Sequence, residues 1–394
     1  MQLLEKEVKK EKIWTKDFAL ICMANFFIFL GFQMTLPTIP LFVQHLGGND
    51  QMIGIITGVF TFSALLFRPN AGHSLESVGR KFVYMLGLGI FVLSVGSFAF
   101  ISSVILLFFI RCVQGIGWGY STTATGTIAT DLIPQKRRGE GMGYFGLSGN
   151  IALAIGPALG LSLYGVTSFT VLFLIASSLG IIAFILSTQI TYKKVESREK
   201  IKKARFDLFE KTALQPSILL FFITTAFGGI ASYLPLYTEQ EGIAGIEVYF
   251  LIYALFLMIT RAFAGRLYDR YGHIVVFLPG TSLILIAMLL LFWLPNSFIL
   301  FLAAALYGLG FGTVQPALQA WAIDKASTNR KGMANATFFS FFDLGVGIGA
   351  IVFGQIAFLF DYDYIYLTAA FSIFSSMAIY LGLLVRLRFV SRPH

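Results

Sequence analysis

The chain has 394 residues, of which 57% are hydrophobic and only 12% charged, and its formal net charge is +9. An ordinary soluble domain carries about a quarter charged residues, so this chain cannot cover itself with polar surface in water, and a soluble enzyme is excluded. Lipid offers the backbone no hydrogen-bond partners, so every spanning segment must be a helix or part of a closed barrel. The long unbroken apolar runs, without strand-like alternation, point to helices.

A helix needs about 20 apolar residues to cross the hydrocarbon core. Twelve segments meet that need, at 18–42, 51–71, 82–101, 103–129, 140–165, 168–189, 214–238, 245–266, 274–294, 298–322, 333–359 and 364–386. The first is preceded by Lys6, Lys9, Lys10, Lys12 and Lys16 and followed by no small-residue cleavage site, so it reads as a retained span. One long polar segment, Thr191 to Lys211, separates the sixth span from the seventh. The expected organisation is a six-helix bundle over 1–190, a cytoplasmic linker over 191–213 and a second six-helix bundle over 214–394.

The positive charges carry the topology. Of 29 Lys and Arg, 28 fall before the first span, in the even-numbered loops, in the linker or at the C-terminus. Arg68, Arg80 and Lys81 belong to the loop after span 2, and Arg261, Arg266 and Arg270 flank the loop after span 8. The odd-numbered loops carry none. The positive-inside rule makes the basic face cytoplasmic, with both termini inside a cell membrane. The charge is thereby accounted for without nucleic acid. Cys22 and Cys112 lie in apolar stretches and give neither a disulfide framework nor metal-ligand spacing. No catalytic triad, metal cluster or phosphate-binding loop is present, so no cofactor, metal or ATP-driven step is expected.

The two halves repeat one another at an offset of 193 residues. RPNAGHSLESVGRKFV begins at Arg68 and RAFAGRLYDRYGHIVV at Arg261. Gly115, Gly117, Gly119 and Asp131 recur as Gly308, Gly310, Gly312 and Asp324. Parallel repeats of this kind relate two bundles by an axis along the membrane normal, with the substrate site between them at the midplane.

These residues resemble the major facilitator superfamily over almost the whole length. The loop after span 2 follows that family's G-x-x-x-D-R-x-G-R-[RK] signature as Gly72, Glu76, Gly79, Arg80 and Lys81, with Glu for the usual Asp and Ser77 for the usual Arg. Leu30, Gly31, Pro37 and Pro40 carry the first-span signature, and Arg111, Gln114, Gly115 and Gly117 the fourth-span one. Gly156, Pro157 and Gly160 match the fifth-span antiporter signature, while Leu161 replaces its last Gly and Ala152 an earlier one. The resemblance implies an all-α membrane protein of twelve transmembrane helices in two pseudo-symmetric six-helix bundles. It is most similar to twelve-span drug/proton antiporters, which implies a proton-coupled exporter of lipophilic drugs or related small molecules. The expected partners are a small-molecule substrate, protons and the bilayer, with the chain acting as a monomer. The alternative is a facilitator dedicated to one metabolite. A non-transporting receptor on the same fold would call for a large soluble domain, and none is encoded.

Arg111 is the only Lys or Arg expected deep in a span, where a charge is costly and usually marks a functional path. The resemblance makes it part of proton coupling; otherwise it is a structural cation satisfied by helix carbonyls and Gln114. Asp343, in FFSFFDLGVGIG, is the one carboxylate well inside a span. It is either the proton carrier or a hydrogen-bonded Asp that joins two helices. Gly72, Glu76, Gly79, Arg80, Lys81 and Asp131 read as a cytoplasmic gate, with Arg80 paired to Asp131 and Glu76 at the N-terminus of span 11, where the helix dipole favours an anion. Gly156-Pro157 either kinks the fifth span or packs it tightly against the other half. If the family pattern holds, spans 1, 4, 7 and 10 line the central cavity, with Asn25, Phe29, Gln33, Gln114, Tyr233, Tyr307 and Gln315 as its lining. Amides and aromatics with few charges suit a lipophilic ligand.

Overall fold

The computed structural model describes residues 12–192, 209–327 and 330–390. The sequence-expected linker falls mostly outside those residues. Helices dominate: α1 Lys16–Thr35, α2 Thr38–His45, α3 Asp50–Ser77, α4 Arg80–Ser97, α5 Val104–Leu132, α6 Arg138–Val166, α7 Phe169–Thr188, α8 Leu214–Gln240, α9 Ile246–Phe292, α10 Ser297–Asp324, α11 Lys331–Leu359 and α12 Asp363–Val390. Among the described residues, eleven helical stretches are long and apolar enough to cross a membrane. The limb of α9 from Ile246 to its break at Gly272 completes twelve.

The chain chemistry sets several boundaries. Thr15 and Asn49 cap α1 and α3 by accepting from the Phe18 and Met52 N–H groups, and Asn296 caps α10 through Ile299. Pro37 lies between α1 and α2 and divides the first span. Pro69 does not end α3, which runs on to Ser77. Gly79 (φ 119°) and Gly272 (φ 72°) adopt a backbone that a side chain would strain, and both stand at the same place in the repeat.

The repeat persists in the packing. A Cβ on Gly115 would lie 2.3 Å from the Phe60 carbonyl oxygen, and one on Gly308 would lie 2.5 Å from that of Tyr253. Gly119 meets the Ala64 carbonyl as Gly312 meets that of Leu257. Each pair is 193 residues apart, so α5 docks on α3 as α10 docks on α9. Small residues let these backbones approach within membrane helices. In the N-terminal bundle α1 also packs on α6 and α7, and α4 on α5 and α7. In the C-terminal bundle α8 packs on α11 and α12, and α9 on α12. The bundles meet through α3 with α11 and α6 with α9. Near the end of the linker, the Glu210 N–H donates to Thr337 Oγ1 at 2.9 Å, and its carboxylate pairs with Arg330, which ties the linker to α11. Leu66, Leu93, Ile105 and Phe371 are exposed, an apolar surface suited to lipid.

Candidate coupling site and substrate cleft

Two helices from different bundles carry the central charges. The α3–α11 seam is lined by glycines: Gly54 and Gly58 lie against Ala350 and Ile351, and Gly347 and Gly354 against Thr61 and Asp50. This close approach brings Arg68 Nη2 within 2.7 Å of Asp343 Oδ2, with the two side chains 21% and 24% exposed. An ion in a span is tolerated where it is paired or reached by water, and this one is paired. Arg68 counts among the loop charges in the sequence although the expected span, 51–71, contains it; α3 runs on to Ser77, so Arg68 lies within the helix and not in a loop. Arg261, its repeat mate, likewise lies inside α9, where its Nη2 donates to Gln315 Oε1 at 2.9 Å. Arg111 is therefore not the one cation deep in a helix.

Arg111 is 2% exposed and sits within the N-terminal bundle. Its Nη1 donates to Gln114 Oε1 at 2.7 Å and its Nε to the Ile56 carbonyl at 3.4 Å. Its guanidinium lies 4.4 Å from the Phe60 ring centroid, a cation–π contact. These partners come from α3 and α5 of its own bundle. The partner of Asp343 is Arg68.

The expected cavity residues divide into two groups. Asn25 donates to Ser148 Oγ at 2.9 Å and ties α1 to α6. Phe29 packs on Trp118 with ring centroids 4.8 Å apart. Gln33 is buried beside Gly156, its Oε1 without a partner. Gln315 bonds Arg261 and extends through Gln319 to Asn335. Tyr233 and Tyr307 are both fully buried. The Tyr233 hydroxyl donates to the Ala350 carbonyl at 2.9 Å and to the Asp50 carbonyl at 3.3 Å. The Tyr307 ring packs within the C-terminal bundle against Tyr253, at 5.5 Å.

Tyr233 belongs to a closure between the bundles at the face opposite the basic loops. There Tyr362 Oη donates to Asp50 Oδ1 at 2.7 Å and accepts from Gln44 Nε2 at 3.1 Å. Gln51 donates to Gln355 at 2.6 Å. Burial first, and the bond to Asp50 second, raise Tyr362 above the ordinary tyrosine value, so it remains a donor at physiological pH. None of these polar residues except Tyr233 was singled out from sequence. Their one signal is that amides and an acid stand at the ends of apolar spans.

At the basic face, Arg80 Nε donates to Asp131 Oδ2 at 3.1 Å and its Nη1 to the Leu75 carbonyl at 2.6 Å, as the gate reading expected. Lys81 is exposed, and a Cβ on Gly72 would meet open space. The Glu76 side chain lies outside the described residues. Gly156 and Gly160 pack against Gln33 and Met34 of α1. The close approach at Gly156-Pro157 is thus within the N-terminal bundle and not against the other half, and α6 runs through Pro157 unbroken.

The chain matches the Major Facilitator Superfamily over residues 21–350 and 247–394, and it belongs to that family. It is a multi-pass membrane transporter. Among curated relatives it is similar to the staphylopine export protein of Staphylococcus aureus, at 23% identity over 84% of this chain and 86% of that one. It is equally similar to the quinolone resistance protein NorA of the same organism, at 23% identity over 85% and 88%. Among solved structures, a POT family transporter in complex with 5-aminolevulinic acid superposes with a TM-score of 0.77 at 13% identity, covering 95% of this chain and 96% of that one. That likeness shows the fold.

Proposed function

We propose that this transporter is a proton-coupled exporter of lipophilic small molecules in the plasma membrane, with its basic face and both termini in the cytoplasm. The observation that carries the reading is the Arg68–Asp343 ion pair, which joins the two bundles on the seam where they must move. A carboxylate there takes up a proton from one side, loses its attraction for Arg68, and regains it on release. Hydrogen bonds to charged groups contribute about 1.5–3 kcal/mol, enough for one proton to shift a balance between two states. In this reading the Asp50–Tyr362 and Tyr233 bonds hold the outer face shut while the substrate enters from the cytoplasm. They must break as the bundles rock. Arg111 supports the path as a fixed cation of the N-terminal bundle. The chain is proposed to work as a monomer, and the domain limits of 1–190, 191–213 and 214–394 are proposed with it. The likeness to a quinolone resistance protein supports export of lipophilic compounds.

A second reading is favoured by the equal likeness to a staphylopine export protein: a facilitator dedicated to one specific metabolite. Ethidium efflux with and without a proton gradient separates the two. Gradient-driven efflux that is lost in Asp343→Asn supports the drug/proton exporter. Unaltered gradient-driven efflux in Asp343→Asn removes Asp343 as carrier. No ethidium transport by the native protein moves the assignment to the dedicated exporter.

A further inference from the structure

The C-terminal bundle buries several hydroxyls with nothing to bond. Tyr249, Tyr253, Tyr307 and Tyr366 are each 0–2% exposed. None of their hydroxyls has a hydrogen-bond partner, and neither does Nε of Arg261. Buried polar groups are nearly always paired, and an orphaned one costs about 1–3 kcal/mol. Four orphans in one bundle form a pattern with a shared cause.

Their placement supplies that cause. Tyr249, Tyr253, Leu257 and Arg261 recur every four residues along α9, so each lies beside the next one turn on. Tyr307, Phe311, Gln315 and Gln319 do the same on α10, which packs along α9. The seam carries the Tyr253–Tyr307 ring contact at 5.5 Å and the Arg261–Gln315 bond at 2.9 Å. Tyr366 extends the series towards the opposite face: it stacks on Tyr237 at 5.6 Å, and Tyr237 lies 6.3 Å from Tyr362, the partner of Asp50. Towards the basic face the series continues through Gln319 to Asn335. Arg261 has no carboxylate of the kind that Asp343 gives Arg68, yet a cation in a span needs a partner or water.

We propose that the hydroxyls of Tyr249, Tyr253 and Tyr307, with Tyr366 at the outer end, hold bound water molecules inside the C-terminal bundle, and that this water solvates Arg261. Each hydroxyl offers one donor and two acceptor positions, and a buried water needs two to four polar partners. The site lies within the C-terminal bundle. It gives the C-terminal bundle a polar spine in place of a second ion pair.

Radiolytic footprinting of the full chain in lipid nanodiscs tests this, because X-ray-generated radicals label side chains that touch bound water. Tyr253 and Tyr307 are expected to label well above Phe338, which is equally buried with no polar group. Labelling no faster than Phe338 overturns the proposal. Thermal unfolding of Tyr253→Phe and Tyr307→Phe gives a second sign. A hydroxyl bound to water stabilises the native state, so its loss lowers Tm. A hydroxyl buried dry is a burden, so a rise in Tm in both variants also overturns it.

Discussion

In the N-terminal bundle the buried guanidinium of Arg111 rests on Gln114, the Ile56 carbonyl and the Phe60 ring. At the positions 193 residues further on, the C-terminal bundle has Ala304, Tyr307, Tyr249 and Tyr253. The backbones there match glycine for glycine, but one half holds a cation and the other a cluster of tyrosines. The same contrast recurs nearer the basic face. Arg68 meets Asp343 across the seam, whereas Arg261 meets the neutral Gln315 within its own bundle. Arg80 pairs with Asp131, whereas His273 at the matching position stacks on Trp321 at 4.3 Å and meets Tyr380 Oη at 2.6 Å. Asp324 instead accepts from Tyr268. A duplicated scaffold has kept its backbone contacts and let its polar groups diverge. Arg111 is buried in the N-terminal half, and the Arg68–Asp343 pair lies on the seam with its carboxylate supplied by the C-terminal half.

The largest effect should come from forcing the halves to be alike. Ala304→Arg places a cation at the mate of Arg111, where Ala304 is fully buried and the nearby tyrosines offer no acceptor comparable to Gln114. A charge at mid-span costs about 3 kcal/mol, so the variant should lose most monodisperse protein in detergent chromatography. If it stayed as stable as the native chain, the two bundle cores would not differ in the way described. The glycine contacts sharpen the opposite side of the comparison. Gly115→Ala and Gly308→Ala each push a methyl group onto a facing carbonyl. Overpacking costs about 1–3 kcal/mol, and the two Tm losses should be similar. A large loss in one and none in the other would mean that the repeat is not kept in energy. The smallest stability effect is expected at the basic face, where a partly exposed pair such as Arg80–Asp131 contributes up to about 1 kcal/mol. Arg80→Ala should leave the amount of protein in the membrane unchanged but slow turnover, because the pair ties α4 to α5 at the gate. Normal turnover in Arg80→Ala would remove the gate role.

Much of the architecture was legible along the chain. Each of the twelve expected segments falls on helix, although Pro37 divides the first and the eighth and ninth share α9, because apolar length is a local property that lipid reads directly. The offset of 193 survives as matching carbonyl contacts, because a glycine that admits a close backbone must recur if the packing recurs. The Arg80–Asp131 pair was also readable, since both residues stand in a recognisable loop signature at helix ends. The site was less so. Asp343 was visible as a lone acid in an apolar run, but its partner was counted as a loop residue. Tyr233 and Tyr307 are expected as cavity lining by type and span, but their partners were not legible: Tyr233 bonds Asp50 and Ala350 from different bundles, and Tyr307 packs on Tyr253.

What the sequence determined alone is therefore the membrane class, the approximate positions of the spans, the internal duplication and the family. Each follows from composition or from spacing within a short stretch. Only the tertiary structure decided that Asp343 faces Arg68 and that Asp50 meets Tyr362. Those partners are more than 270 residues apart in the chain. They meet through the rotation and register of α3 and α11, and small residues on both helices set how closely they approach.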